Sequence, residues 1–451
     1  MHGLACPNCT SVLSKNAQSR WACGSCRIDF PQLEDVPFLW PAPGAALKDW
    51  RNRFNHTLAE LTARREAYAD ARSDLAATTD RLARMREGLR AYEEALRALL
   101  APLGLGDGAG RETYMALRSR LPDHHAVDSY VNLMVRDWVW GEAETEATAN
   151  VLDRAVRASA EPPRHLLVLG AGAGRLAYDL QRRWSCEATV ALDSNPLLSL
   201  TGAAMARGER AAFVEFPTAP LGPEQAAVVC SLAAPEAEPK LTFVCGDALN
   251  APILPGAFDM IATPWLLDVI DSDTPSLLQR LAAQLAPGGL WLNHGSVAFE
   301  RAAPSARLTA PELTELAAQQ GFEVLYAEDT ELPYLHSPHS RHHRQETVFT
   351  QLNRRTAAEI AAPQAHAHTP DWLADTSRPV PLSPEFTTQL TTTRINGFIM
   401  SLIDGKRSIN DMAGVLEEQR LMPAKDATEA IRQFVRTMHT EAEAQRRSTR
   451  L

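Results

Sequence analysis

A glycine-rich turn near the middle of the chain has the composition of a cofactor-binding loop. Gly170, Gly172 and Gly174 come directly after the apolar run Leu166–Leu169, and a helical pattern begins at Arg175. A buried strand, a glycine turn and a helix N-terminus in this order let the backbone approach a ligand, because no Cβ stands in the way. Dinucleotide-binding domains use similar turns, so the turn alone leaves the cofactor open.

The spacing of the glycines and two acidic residues after later strands help to distinguish a dinucleotide site from other cofactor sites. The glycine spacing is GxGxG, whereas dinucleotide sites have GxGxxG. The next predicted strand, Ala188–Leu192, leads to Asp193, which can bind a ribose diol. A third strand, Leu241–Cys245, leads to Asp247. With Pro-Gly-Gly before the apolar run Leu290–Leu292, the pattern resembles a class I S-adenosylmethionine (SAM)-dependent methyltransferase. A nucleotide-binding domain of another kind is the alternative.

Four of the seven cysteines form two CxxC pairs near the N-terminus, Cys6 with Cys9 and Cys23 with Cys26. Two such knuckles joined by a short loop can converge on one tetrahedral ion, and thiolates on a segment with little core favour zinc. With four cysteine ligands the ion would have no open position, so its role would be structural. A pair of redox motifs is the alternative.

The composition predicts a cytoplasmic protein of more than one domain. The chain has 451 residues and a formal net charge of −10. This negative net charge argues against a broadly basic surface that binds nucleic acid. No segment approaches the roughly 20 apolar residues of a membrane span. The three cysteines outside the CxxC pairs are scattered, which fits a reducing compartment better than a disulfide framework. We therefore expect neither a membrane nor a nucleic acid as a partner.

A seven-residue apolar repeat predicts a long helical arm over residues 47–100. The repeat consists of Leu61, Tyr68, Leu75, Leu82, Leu89 and Leu96. Either the arm packs on the catalytic domain, as a long helix or an antiparallel hairpin, or it forms a coiled coil that joins two copies in a homodimer.

The region from Ser129 to Leu352 resembles the carnosine N-methyltransferase family. The motifs that carry this resemblance are VRDW at 135–138, GAGAGRLAYDL at 170–180, FDMIATPWLLD at 258–268, LAPGGLWLNHGS at 285–296 and YLHSPHSRHHRQETVF at 334–349. The resemblance implies a Rossmann-like α/β fold, SAM as the cofactor, and transfer of a methyl group to an imidazole nitrogen of a histidine-containing dipeptide. The cysteine-rich N-terminus is similar to the small zinc-ribbon domain that activates some methyltransferases.

The family resemblance also implies a set of cofactor-binding residues. Arg136 would bind the methionine carboxylate of SAM, because a guanidinium suits a bidentate grip. The glycine turn would face the sulfonium and the ribose, and Asp193 would bind the ribose. Asp247 and Ala248 would flank the adenine, although the family prefers an aromatic residue at the position of Ala248. The complete set is Arg136, Gly170, Ala171, Gly172, Gly174, Asp193, Asp247, Ala248 and Pro264.

Asp268 stands where the resembled family has its substrate-facing aspartate. An attacking imidazole nitrogen must be neutral and must lose a proton during or after transfer, and a carboxylate can hold the other ring N–H and stabilise the imidazolium. The alternative is that Asp268 caps a helix starting near Thr274. The remaining predicted substrate-binding residues are Trp265, Asn293, Phe299, Glu300, His343 and Arg344.

The substrate half of the resemblance departs from the family pattern. Glu300 replaces a histidine, and His342-His-Arg-Gln-Glu346 stands where the family has tyrosines before a glutamate. Carnosine itself is therefore not the expected substrate. A new substrate wall and an ordinary polar turn are the two interpretations of the second segment. We also expect the insertion 216–239 to be a loop over the mouth of the pocket.

The predicted domains follow these patterns. They are a zinc ribbon at 1–42, the helical arm at 43–110, the methyltransferase domain at 111–356, a linker at 357–384 and a small helical module at 385–451. The last pattern, a helix, the turn Asp404-Gly405, a short helix and a long helix, resembles a PqqD-like or winged-helix module. Such modules bind a leader peptide during the maturation of peptide natural products. An accessory three-helix cap is the alternative.

Together these patterns predict a SAM-dependent N-methyltransferase that acts on the imidazole of a histidine-containing small molecule or peptide. A second hypothesis is a peptide natural-product methyltransferase whose C-terminal module holds a leader peptide. A third is an RNA methyltransferase, which rests on the zinc ribbon alone. The fourth is a non-catalytic SAM-binding scaffold.

Overall fold

The computed structural model describes residues 2–104, 126–270, 274–299, 304–357 and 379–448. The chain forms two compact units, Met1–Pro363 and Gln364–Leu451. The described strands are β1 Ser14–Lys15, β2 Trp21–Cys23, β3 Ile28–Asp29, β4 Gln32–Leu33, β5 Val36–Leu39, β6 His165–Leu169, β7 Ala188–Asp193, β8 Arg210–Glu215, β9 Val228–Ala233, β10 Leu241–Gly246, β11 Met260–Pro264, β12 Leu290–Gly295, β13 Phe322–Tyr334 and β14 Arg344–Arg355.

The described helices complete the two units. They are α1 Pro43–Asp70, α2 Ala76–Leu99, α3 Val131–Val135, α4 Glu142–Arg157, α5 Arg175–Trp184, α6 Pro196–Ala206, α7 Thr274–Gln284, α8 Ala310–Gln319, α9 Pro384–Ser401, α10 Ile409–Glu418 and α11 Ala424–Ser448, with a π-helical turn at Arg136–Trp140. No helix among the described residues is both long and apolar enough to cross a membrane.

A nine-stranded sheet forms the centre of the first unit, in the order β13-β14-β12-β11-β6-β7-β10-β5-β4. The strands β10, β7, β6, β11 and β12 are parallel neighbours, and β14 runs antiparallel between β12 and β13. Apart from the two strands at its β10 edge, this is the strand order of a Rossmann-like class I methyltransferase domain, so the predicted α/β fold is confirmed. Parallel strands covered on both faces consist mainly of apolar residues, as Leu166–Leu169 do.

The N-terminal ribbon adds two strands to the same sheet. Strand β5 pairs in parallel with β10, with Phe38 opposite Cys245 and Leu39 opposite Gly246, and β4 pairs antiparallel with β5. Phe38 and Leu39 are fully buried and belong to the two apolar clusters on opposite faces of the sheet. The ribbon therefore shares its core with the sheet.

The predicted arm is a helical hairpin, α1 followed by α2, whose second helix packs on the β8–β9 hairpin. Leu89 and Leu96 lie in the main apolar cluster, and the ring of Tyr92 contacts the rings of Phe213 and Phe216 edge-on. The heptad stripe of the second helix is thus buried in this chain's own core. A homodimer through the arm would need its other face, and it stays a prediction.

The insertion expected to be a loop contains regular structure. Its residues Val228–Ala233 form β9, which pairs antiparallel with β8 over its whole length. An added Cβ at Gly88 of α2 would lie 2.5 Å from the Cβ of Ala227, so helix and hairpin touch closely. The prediction of a loop was therefore wrong for residues 228–233, which pair with β8 and contact the arm, partners that local sequence does not reveal. Earlier in the insertion, Leu221 donates its backbone N–H to the carbonyl of His339, and a position over the pocket stays a prediction.

The second unit has its own small core. Within residues 379–448 it consists of α9, α10 and α11 and contains no strand. Ile399, Met412, Leu416 and Ile431 are among the buried residues that hold the three helices together. Ser408 and Asp411 form a capping box at the start of α10. A PqqD-like identity for this unit stays a prediction.

The packing of the arm generates a test. We expect Leu89→Ala to lower the free energy of unfolding by about 2–5 kcal/mol, because this side chain is only 1% exposed. Leu75→Ala is the matched control from the same heptad: Leu75 is 68% exposed between the helices, so the change should stay within about 0.5 kcal/mol. Urea denaturation measures both. Equal losses would indicate a coiled-coil seam instead.

Candidate functional site

The three predicted glycines of the turn differ in what surrounds them. All have positive φ, at 67°, 58° and 82° for Gly170, Gly172 and Gly174. An added Cβ on Gly170 would lie 2.6 Å from Leu266, and one on Gly174 would lie 2.3 Å from Phe243, whereas one on Gly172 would meet nothing within 4 Å. Gly170 and Gly174 are therefore needed for packing, and Gly172 faces the open space that a ligand could fill.

Hydrogen bonds with the VRDW segment, residues 135–138, hold the glycine turn in place. The indole nitrogen of Trp138 donates a buried hydrogen bond of 2.9 Å to the carbonyl of Ala173. Arg175 at the start of α5 donates to the carbonyl of Asp137 and pairs with Asp179. Neither Trp138 nor Arg175 had a predicted role, although both lie within motifs of the resembled family.

Asp193 joins the end of β7 to the glycine turn. Its Oδ2 accepts the backbone N–H of Gly172 at 2.8 Å, and its Oδ1 accepts that of Asn195 at 2.8 Å. Burial raises the pKa of this carboxyl to about 6, although the N–H groups of Asn195 and Gly172 act in the opposite direction. The predicted ribose-binding acid thus lies against the glycine that faces open space.

The other predicted cofactor residues lie at the same edge of the sheet. Asp247 directly follows β10 and accepts the backbone N–H of Leu249 and the side-chain amide of Asn250. Ala248, like Ala171 in the glycine turn, is half-buried. Pro264 is buried at the end of β11. Because the carboxyl ends of parallel strands meet at one edge, these residues and Asp193 share the edge at which α/β sheets bind ligands.

Arg136 is held in place by its neighbour Asp137. Its Nε and Nη2 both donate to Oδ1 of Asp137, at 2.9 and 2.7 Å, and its Nη1 has no hydrogen-bond partner among the described residues. Burial raises the pKa of Asp137, and the charge of Arg136 opposes that rise. One edge of a fixed guanidinium therefore stays available to an anionic ligand.

Tyr334 is the centre of an aromatic and cationic cluster that sequence analysis missed. Its ring lies 4.5 Å from the guanidinium carbon of Arg344, 5.7 Å from that of Arg136 and 4.9 Å from the ring of Trp265. Burial raises the pKa of the tyrosine hydroxyl, while the two arginines oppose the rise. Tyr334 and Arg344 are cross-strand partners at the end of the β13–β14 hairpin, so the hairpin register brings them together.

The other predicted substrate-binding residues lie in different environments. His343 is exposed, and its ring meets that of His336 edge-on at 4.7 Å. Asn293 is 2% exposed, and its Oδ1 accepts from Thr263 inside the sheet. Phe299 is buried in an apolar cluster. In this conformation neither Asn293 nor Phe299 presents a surface to a ligand, and the predicted Glu300 lies outside the described residues.

Asp268 lies on the loop that follows β11 and accepts hydrogen bonds from the loop that follows β12. Its Oδ2 accepts the hydroxyl of Ser296 and the backbone N–H of Ala298, both at 2.8 Å. Trp265, three residues earlier, has φ of +51° and donates its backbone N–H to the carbonyl of His294 at 2.6 Å. The carboxylate is thus oriented by the neighbouring strand end, at the edge of the sheet that carries the glycine turn.

The four predicted metal ligands converge. The sulfur atoms of Cys6, Cys9, Cys23 and Cys26 all lie within 4.8 Å of one another, with 3.9 Å between Cys6 and Cys26 and 3.5 Å between Cys9 and Cys23. Four sulfurs bound at about 2.3 Å to one tetrahedral ion stand about 3.8 Å apart. The donor set and its spacing therefore fit zinc.

Comparisons with known proteins find solved structures of low similarity and no family. No protein-family profile and no curated protein matches the chain. Among solved structures, the N-methyltransferase NodS of Bradyrhizobium japonicum with S-adenosyl-L-homocysteine (SAH) is 12% identical, covers 54% of this chain and 98% of its own, and has a TM-score of 0.33. The complex of the Haloferax volcanii Trm112 methyltransferase activator with a methyltransferase is 15% identical, covers 52% of this chain and 100% of its own, and has a TM-score of 0.35.

A third similar structure is phosphoethanolamine N-methyltransferase 2 of Haemonchus contortus with SAM, at 16% identity, with 41% of this chain and 38% of its own covered and a TM-score of 0.28. These scores are too low to carry an argument about this chain. The fold assignment therefore rests on the strand order itself.

Asp193 generates a prediction about pH. A ligand with a ribose diol, such as SAH, donates hydrogen bonds to the ionised carboxylate, and the pKa of this group in the free protein is about 6. SAH affinity should therefore be constant above pH 7 and fall by up to about tenfold per pH unit below 6. Calorimetric titration between pH 5 and 7.5 measures it. Asp193→Asn should bind weakly without this slope, and a flat wild-type profile would contradict the assignment.

Proposed function

We propose that this protein is a SAM-dependent methyltransferase that methylates an imidazole nitrogen of a histidine-containing small molecule or peptide. The observation that supports it most is the contact between Asp193 and Gly172, which joins a ribose-binding carboxylate to the glycine that faces open space. Asp268 lies at the same edge of the sheet and supplies a carboxylate for a substrate.

Bound SAM would supply an electrophilic methyl group on a sulfonium. Arg136 would hold its carboxylate through Nη1, and Asp193 would hold its ribose hydroxyls. Asp268 would accept the N–H of the non-attacking imidazole nitrogen, which directs the lone pair of the other nitrogen away from the carboxylate. After the N–C bond forms and the C–S bond breaks, the same carboxylate would stabilise the imidazolium until its proton leaves.

The cluster around Tyr334 supports an aromatic substrate. Trp265 and Tyr334 offer ring faces to an imidazole, and Arg344, which pairs with Glu346 at 2.8 Å, could bind a carboxylate of a dipeptide or peptide. Aromatic rings beside cations favour planar, partly charged groups. We therefore place the substrate between Asp268 and Tyr334.

The second candidate is a peptide natural-product methyltransferase whose C-terminal module binds a leader peptide. The C-terminal unit leaves Phe386, Leu390, Ile395, Met400 and Ile403 exposed along and just beyond α9, and a leader peptide could cover such apolar side chains. An RNA substrate and a non-catalytic scaffold have no comparable support: the ribbon on which the RNA hypothesis rested packs into the catalytic sheet.

The proposed role of Asp268 can be tested by methyl transfer. With labelled SAM and a panel of imidazoles, histidine dipeptides and histidine-containing peptides, we expect Asp268→Asn to lower the rate by about 10²–10⁴-fold while SAH affinity is unchanged. Asp80→Asn, an exposed acid on α2, is the matched control and should be fully active. Wild-type SAH binding without transfer to any imidazole would refute the imidazole assignment and direct the search to RNA and other nucleophiles.

The proposed zinc ion has a structural role and a separate test. We expect about one zinc per chain by elemental analysis, and Cys9→Ser should lose most of it and unfold at a lower temperature. Cys230→Ser is the control, because Cys230 lies on β9 outside the cluster. Equal zinc content in the two variants would contradict the assignment.

A further inference from the structure

Trp40 of the zinc ribbon lies at the edge of the proposed cofactor crevice. Strand β5 ends at Leu39 opposite Gly246, the last residue of β10. Trp40 and Asp247 are therefore the next residues on two adjacent parallel strands and leave the sheet side by side. The Trp40 ring packs on the ring of Phe38 at 6.0 Å and is half-buried, so the indole is held by the ribbon while part of it stays accessible.

The surroundings of Cys245 place the indole close to the ribose-binding acid. The thiol donates to the carbonyl of Ser194 at 3.5 Å. Burial raises the pKa of the thiol, the side chains of Trp40 and Ser199 lower it, and the charge of Asp193 raises it. The strand register gives the same neighbourhood, because Cys245 lies opposite Asp193 of β7 on one side and opposite Phe38 of β5 on the other. The indole nitrogen of Trp40 and the hydroxyl of Ser199 are buried with no partner at hydrogen-bonding geometry among the described residues.

The crevice lacks an aromatic side chain from its own loop after β10. Asp247 uses both carboxylate oxygens to fix the turn at Ala248–Asn250, and Ala248 offers only a methyl group. A purine ring is flat and apolar on both faces, and ligand sites hold such rings between apolar or aromatic walls. Trp40 is the aromatic residue that the strand register brings to this position.

We propose that Trp40 forms the aromatic wall of the adenine subsite, so that the zinc ribbon contributes directly to cofactor binding. This inference rests on the proposed SAM-dependent function. The indole packs against the purine beside Asp247, while Asp193 binds the ribose. The ribbon then completes the crevice, because the catalytic sheet supplies the polar groups and the ribbon supplies the aromatic surface.

Binding of two ligands to three variants tests the proposal. Trp40→Leu keeps an apolar side chain but removes the ring, and Trp40→Phe restores a smaller ring. Trp21→Leu is the matched control, because Trp21 is a partly buried ribbon residue on β2 with a lysine over its ring. Calorimetry measures dissociation constants for SAH and for 5′-deoxy-5′-methylthioadenosine, which lacks the amino-acid end, and elemental analysis measures zinc in each preparation.

We expect Trp40→Leu to bind both ligands about five- to tenfold more weakly at wild-type zinc content, since an aromatic face against a base is worth that much or more. Trp40→Phe should recover most of the loss, and Trp21→Leu should bind like the wild type. Wild-type affinity in Trp40→Leu would overturn the proposal. So would a loss found only in preparations with reduced zinc, because Trp40 would then act through ribbon integrity. If the wild type binds neither ligand, the proposed function itself fails.

Discussion

The parallel pairing of β5 with β10 is the constraint on which the rest of the first unit depends. An unpaired β10 would leave a row of backbone N–H and C=O groups at the edge of the sheet. The ribbon covers this edge through Phe38 and Leu39, whose side chains enter the apolar clusters on the two faces. Because the two paired strands end together, this contact also decides which side chains stand beside the crevice. The ribbon, which has little apolar core of its own, thereby shares the large apolar core of the sheet.

The candidate site is built from polar groups that the folded backbone can partly satisfy. Asp193 loses its hydrating water on folding and accepts two backbone N–H hydrogen bonds in exchange. These bonds do not fully compensate for the lost hydration, so burial raises the pKa of the carboxyl to about 6. Asp137 is stabilised by Arg136, and Asp268 by Ser296 and Ala298. Each carboxylate is thereby oriented before a ligand arrives, which lowers the cost of ordering the site on binding.

The arm and the insertion show what a local pattern leaves open. A seven-residue repeat records that one face of a helix is apolar, but it does not say what covers that face. Here the cover for Leu89 and Tyr92 is the sheet and the hairpin that contains Phe213 and Phe216, not a second helix of another copy. The insertion was interpreted as a loop because it is rich in proline and alanine, although Val228–Ala233 within it has the length of an ordinary strand.

The sequence by itself determined the features that depend on neighbours in the chain. The glycine turn after β6, the acid after β7 and the cysteine spacing are local patterns, and local backbone geometry is enough to produce them. Only the tertiary structure decided that Gly172 alone among the three glycines faces open space, that Tyr334 lies between two arginines, and that Trp40 stands beside Asp247. Except for the pair Tyr334–Arg344 within one hairpin, these arrangements join segments far apart in the chain. Their geometry is set by strand register and by packing on shared faces, which no local pattern encodes.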